Sequence, residues 1–304
     1  MNIQKSVILV TVVLVLVIIG IMPEGHSMKY AFSGSIAFAE EALEIESIAE
    51  EKVKDSIEIE AITEEKIKSS TSIDLIEAVK KSYEELEDYF GKSTFLEFKR
   101  KKDSTKLRKQ ERKSRYYFKK PYLVRLEVIW GTQPNDSGSE AIYSGGKKIK
   151  GHQGGLLSGI ALNINIDSGL AVSLRGHSVR DSTMDAMVER IKLYQKNGVV
   201  SMGESGKLDG RDVIVLNLAG KDSQPLLELF PEDIELKQGV NREKVYIDLG
   251  YKLPIKWELY EKDELMRVIE YQNLKINLGL PEEIFEQVKL SKEQRKEIEK
   301  LIGE

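Results

Sequence analysis

Cysteine is absent from this 304-residue chain, and its absence excludes more than disulfides. Without a thiol there is no lipid attachment at an N-terminal Cys, no thiol catalysis and no Cys-ligated zinc. Histidine is almost as scarce. His26, His152 and His177 are the only three, with no His-Glu-x-x-His and no i, i+4 pair, so no metal site is expected. Neither a Gly-x-Ser-x-Gly elbow nor a Walker-type phosphate loop occurs. No catalytic residue and no cofactor are therefore expected.

Long hydrophobic runs are missing too, with one exception. Val7–Met22 carries no charge, follows Lys5, and has no counterpart in the remaining 282 residues. A basic head before a Val/Ile/Leu core is an export signal. Its 16 residues lie between a signal-peptide core and a membrane-spanning helix, which leaves two outcomes. In one, cleavage follows the small-x-small triplet Ala37-Phe-Ala39. In the other, residues 7–22 stay as an inner-membrane anchor. Either way the rest is expected to fold outside the cytoplasm, in the periplasm or cell envelope.

Residues 1–39 are thus the export signal or anchor, 40–70 a spacer and 71–304 the folded domain. Positions 40–69 hold eleven acidic and four basic residues and no Gly, Pro or aromatic. Glu44–Lys54 recurs as Glu58–Lys68, identical at eight of eleven positions with a 14-residue period. That is two heptads, but alternate a/d pairs are polar, as at Lys52 and Asp55. The seam is weak, and a solvated helical or disordered spacer is the expectation. With −7 from this stretch and +1 from the head, the chain's −4 leaves the domain near +2, which points to no partner by charge alone.

Within the domain, Ile73, Ile76, Val79, Tyr83, Leu86 and Phe90 predict an amphipathic helix that Gly91 ends. From Ser93 the period becomes two. Tyr122, Val124, Leu126, Val128 and Trp130 point one way, and Leu123, Arg125, Glu127 and Ile129 the other. Gly145-Gly146, Asp209-Gly210 and Lys262-Asp263 punctuate hairpins. Ser182-Thr-Met-Asp185 caps a second helix running to about Lys196, with a stripe of Met184, Met187, Val188, Ile191 and Tyr194. Ser291–Ile302 closes the chain as a helix. The fold class is α+β, a curved antiparallel sheet with helices packed on one face.

Three segments could carry chemistry. Arg175-Gly-His-Ser-Val-Arg180-Asp181 suits an anion or headgroup site through Arg175, His177 and Arg180, or a base–orienter pair of His177 and Asp181; it also reads as a strand leading into a capped helix. Residues 99–125 carry thirteen basic and two acidic side chains, among aromatics such as Tyr116 and Phe118. They suit anionic lipid headgroups better than nucleic acid in an exported protein, or are simply outward positions of a hairpin. Six glycines from Gly145 to Gly159 read as turns in a flap.

The order of short motifs then becomes informative. Arg115-Tyr-Tyr-Phe-Lys-Lys-Pro-Tyr-Leu-Val-Arg-Leu-Glu127 resembles the basic–Pro–aromatic–Arg strand of the periplasmic lipoprotein-carrier superfamily that includes LolA, LolB and RseB. Ala141-Ile-Tyr-Ser-Gly-Gly-Lys147, Leu208-Asp-Gly-Arg211, Tyr246-Ile-Asp248 with Leu253-Pro-Ile-Lys256, and Tyr271–Asn277 follow in that family's order. The resemblance spans about residues 73–289, with an extra forty or so at 154–197. It implies an unclosed half-barrel, with helices on its concave face, over an apolar cavity. It also implies binding of an acyl chain, lipid or acylated lipoprotein segment without catalysis, at a membrane surface. Val124, Leu126, Val128, Trp130, Ile255 and Trp257 are the expected ligand-lining residues. The alternatives are an RseB-like sensor that binds an envelope protein partner, and a hydrolase using His177 and Asp181.

Overall fold

The computed structural model describes residues 72–101, 106–220 and 233–304; the expected export segment and the repeat lie outside them. Helix α1 (residues 72–85) leads into β1 (Asp88–Arg100), β2 (Leu107–Lys119), β3 (Leu123–Gly131), β4 (Glu140–Tyr143), β5 (Lys148–His152) and β6 (Leu162–Asn165). After a long connection come α2 (Met184–Asn197), β7 (Gly198–Leu208), β8 (Arg211–Gly220), α3 (Ile234–Lys237), β9 (Arg242–Asp248), β10 (Leu253–Glu261), β11 (Glu264–Ile276) and α4 (Lys292–Ile302). All eleven strands form one sheet, ordered β6-β5-β4-β3-β2-β1-β11-β10-β9-β8-β7, with every neighbour antiparallel. Its ends, β6 and β7, do not pair with each other. This is the expected curved, unclosed α+β half-barrel.

Alternation along the strands sends apolar side chains to both faces, because both are covered. On the inner face, Tyr89, Tyr116, Phe118 and Trp257 join the buried stripe of α2 and Ile76 and Val79 of α1 in one core. On the outer face, Phe90, Tyr117 and Ile142 meet Leu280, Phe285, Ile298 and Ile302 of the C-terminal segment. So α2 lies on the inner face, over β7, β8 and β10, while α4 belongs to the outer layer. Its cap is Ser291 with Gln294, as the sequence pattern indicates.

Arg125 explains why the outer layer stays in place. It is fully buried, and its guanidinium donates to the carbonyls of Ile284 (3.1 Å), Gln287 (2.7 Å) and Val288 (2.9 Å). Glu127 at 2.7 Å and Glu140 balance its charge. Five donors in a planar fork can meet such a ring of acceptors, which a lysine cannot.

The leading helix is a turn shorter than its apolar spacing predicts. It ends at residue 85, and Asp88-Tyr-Phe opens β1 with Tyr89 on the inner face and Phe90 on the outer. Strand pairing to both β2 and β11 outweighs continuation of the helix, and Asp88 accepts from the N–H groups of Leu278 (2.7 Å) and Leu280 (2.8 Å). Gly91, expected as a helix stop, is a strand residue whose missing side chain admits Tyr271; a Cβ there would sit 3.2 Å from the ring. Among the described residues, no helix is long and apolar enough to cross a membrane.

Candidate functional site

The inner face is not filled evenly. Over β7–β11 the side chains of α2 reach the sheet, and Leu216, Val245, Ile255 and Leu259 are fully buried. Over β1–β6 the cover is instead the irregular stretch 166–182, and beneath it lies a cavity of about 400 Å³. Small residues explain the space. Ser93, Ser114, Ala141 and Gly151 line its floor, and Gly169, Ala171 and Ser173 its roof. Phe95, Leu126, Val128, Ile149, Ile164 and Ile269 supply the apolar wall. The volume lies at the lower end of the roughly 300–1,000 Å³ typical of ligand pockets.

Three tyrosines fasten one end of the roof. Tyr89, Tyr116 and Tyr271 cluster with ring centroids 5.4–6.1 Å apart. Tyr116 donates to the Val179 carbonyl at 3.2 Å, Tyr271 to that of Ser182, and Tyr89 accepts from the N–H of Met184 at 3.2 Å. Burial pushes all three hydroxyls well above the ordinary tyrosine range, so they act as neutral hydrogen-bonding groups.

The other fastening is ionic. Across the inner face, register places Gln110, Glu97, Arg267, Leu259 and Glu243 in one row from β2 to β9. Glu235 of α3 descends onto this row. It holds Arg175 at 2.6 Å and Arg267 at 3.4 Å, and its Oε1 lies 2.6 Å from His177 Nε2. Glu97 accepts from the N–H of Arg175 (3.0 Å), and Gln110 from that of Leu174 (2.8 Å). Burial raises the Glu235 carboxyl, but the hydrogen bond from His177 and the charges of Arg267 and Arg175 outweigh it and hold the group well below the ordinary range. A second such node joins α2 to β9: Glu243 accepts from Arg190 (2.5 Å), Tyr194 (2.7 Å) and the Trp257 indole (2.9 Å).

These contacts decide where the expected site residues stand. Leu126 and Val128 line the cavity. Val124, Ile255 and Trp257 lie in the filled core beside it. Trp130 is turned away, because Lys113 pairs with Trp130 while Ser114 pairs with Val128. The extra residue, Ile129, is a bulge that reverses the alternation and leaves Trp130 44% exposed. Of the headgroup candidates, Arg175 and His177 are buried against Glu235, and Arg180 is exposed near Asp181. His177 and Asp181 do not form the base–orienter pair of a hydrolase. Asp181 instead accepts from the N–H and hydroxyl of Ser178 (both 2.8 Å) in a capping box, while His177 faces Glu235.

Two cationic cavity residues, Arg108 and Arg112, are legible in the sequence only as part of the basic run 99–125. Both lie on the inner face of β2, six and two positions before Ser114. The thirteen-cation run gave no sign of which of its members border the cavity, and Arg108 does so while remaining exposed to water.

A family model described as "Protein of unknown function (DUF1571)" matches residues 106–292. No curated protein matches. Among solved structures, the chain is similar to an uncharacterised conserved protein from Thermus thermophilus (11% identity, 74% of this chain and 96% of that one, TM-score 0.41). It is also similar to the lipoprotein LppX of Mycobacterium tuberculosis (12%, 68% and 95%, TM-score 0.37). A LolA superfamily protein of Nitrosomonas europaea stands beside them (13%, 70% and 98%, TM-score 0.30).

Proposed function

The chain belongs to the DUF1571 family, and from that premise we propose that it is a non-catalytic binding protein of the cell envelope. It holds an acyl chain or lipid in the cavity over β1–β6, for transfer or sensing. The observation that carries this reading is the cavity itself: an apolar wall left uncovered by small floor and roof residues, beside a half of the same face where the stripe of α2 is buried in the core. The apolar wall would supply most of the affinity, at about 25 cal/mol per Å² of buried apolar area before ordering costs. The export segment at Val7–Met22 supports the envelope location. His177, which lines the cavity, is buried with its Nε2 2.6 Å from Glu235, and the Ser178 hydroxyl is spent on the Asp181 carboxylate in a capping box.

Native mass spectrometry of the full chain purified from membranes tests the proposal. A co-purifying lipid-sized mass is expected, and it is expected to vanish in Ala141→Trp, whose indole would occupy the space between Leu126 and Gly151. An unliganded wild-type mass, with a protein cross-linked in stoichiometric amount, would favour the interaction-module reading instead.

A further inference from the structure

Along the inner face of β2, the positions 108, 110, 112, 114 and 116 read Arg, Gln, Arg, Ser and Tyr, all lining the cavity. At about 3.4 Å per residue this gradient runs ~27 Å, from cationic at the Arg108 end to aromatic at Tyr116. The cations are not equally matched. Arg112 donates through Nε to Asp136 Oδ1 at 2.9 Å, and Asp136 also accepts from the N–H of Gln133. The other carboxylate at the cavity, Glu140, is held by Arg125 and Arg295. The side chains of Arg108 and Lys99, both exposed, have no ion pair or hydrogen bond among the described residues. Register places these two directly opposite each other on β2 and β1. Like charges directly opposite across a strand pair repel. An anion between them would turn that repulsion into a charge-assisted clamp.

We propose that the cavity takes an amphiphile with one anionic group, a carboxylate or phosphate. Its tail lies against Leu126, Val128 and Phe95, and its anion at Arg108, Lys99 and the free edge of Arg112. This rests on the reading that the cavity holds an apolar chain, and it adds the charge of the ligand and its direction. Arg175 and His177 do not take the anion, because Glu235 already neutralises that cluster.

The test uses the delipidated full chain with two fluorescent polyene probes, cis-parinaric acid and its methyl ester, at pH 8. The acid is expected to bind about tenfold more tightly than the ester, the gain of one charge-assisted contact. In Arg108→Gln, and more completely in Lys99→Gln/Arg108→Gln, the two probes are expected to bind alike, at the ester's wild-type affinity. Neither substitution removes a side-chain hydrogen bond or ion pair within the described residues, so folding is expected to be preserved. Adding salt is expected to weaken acid binding only. Equal affinities for both probes in the wild type would overturn the anionic assignment and leave the cavity reading standing. Binding of neither probe would overturn the cavity reading and, with it, this one.

Discussion

Two halves of one sheet face differ in what covers them and in what lines their floor. Over β7–β11 the roof is a helix, and Met184, Met187, Val188, Ile191 and Tyr194 are buried against the sheet. Over β1–β6 the roof is the stretch Ser168-Gly-Leu-Ala-Val-Ser-Leu174, and a hollow remains. A helix delivers a continuous stripe of side chains at close spacing, whereas a run of turns interrupted by Gly169, Ala171 and Ser173 does not. The floor matches its roof: Ile255 and Trp257 stand in the filled half, and Ser93, Ser114 and Ala141 in the hollow one. The void is therefore set by side-chain size on both surfaces. It does not arise from strand curvature alone.

Substitutions can break that comparison or sharpen it. Trp257→Ala is expected to have the largest effect, about 3–5 kcal/mol from the lost burial and residual cavity, read as a lower urea midpoint. The indole's hydrogen bond to Glu243 goes with it. Glu235→Gln is next, at roughly 3 kcal/mol, because Arg175 and Arg267 are left buried with one carboxylate fewer.

That variant also changes the response to acid. The folded-state value for Glu235 lies below the ordinary 4.5, so its contribution is complete above that pH and is lost as pH falls through the folded value. Urea midpoints taken from pH 7 down to pH 3 are expected to fall less steeply in Glu235→Gln than in the wild type. Leu126→Ala is expected to cost under about 1.5 kcal/mol, since its side chain already borders empty space, while retention of bound lipid drops. An equal penalty at Leu126 and Trp257 would mean that the two halves are packed alike. Thr183→Ala, which removes the α2 cap to the N–H of Ala186, is expected to cost about 1 kcal/mol and to lower the thermal midpoint by a few degrees.

Period and punctuation made most of the sheet legible. The hairpins at Gly145-Gly146, Asp209-Gly210 and Lys262-Asp263 lie between paired strands, and Asp209, Lys262 and Asp263 take the positive φ those turns require. The apolar stripe of α2 was legible for the same reason. Three things were not. The bulge at Ile129 inserts a residue without any Gly to announce it. The end of α1 is decided by long-range pairing of β1 with β2 and β11, which no local window contains. In the site, Arg175 and His177 read as free donors because Glu235 lies 60 and 58 residues away in the chain, and Arg108 read as one cation in a crowd.

The outward turn of Trp130 has a practical sequel. The two indoles of this protein sit in opposite surroundings, Trp257 sealed beside Glu243 and Trp130 half in water at the end of a strand that forms the cavity wall. Excited at the red edge, the emission of Trp130 can be followed almost alone, while Trp257 keeps a blue-shifted band until the chain unfolds. A Trp257→Phe protein thus carries a single indole on the outward side of β3, whose emission reports how wet that end of the strand is.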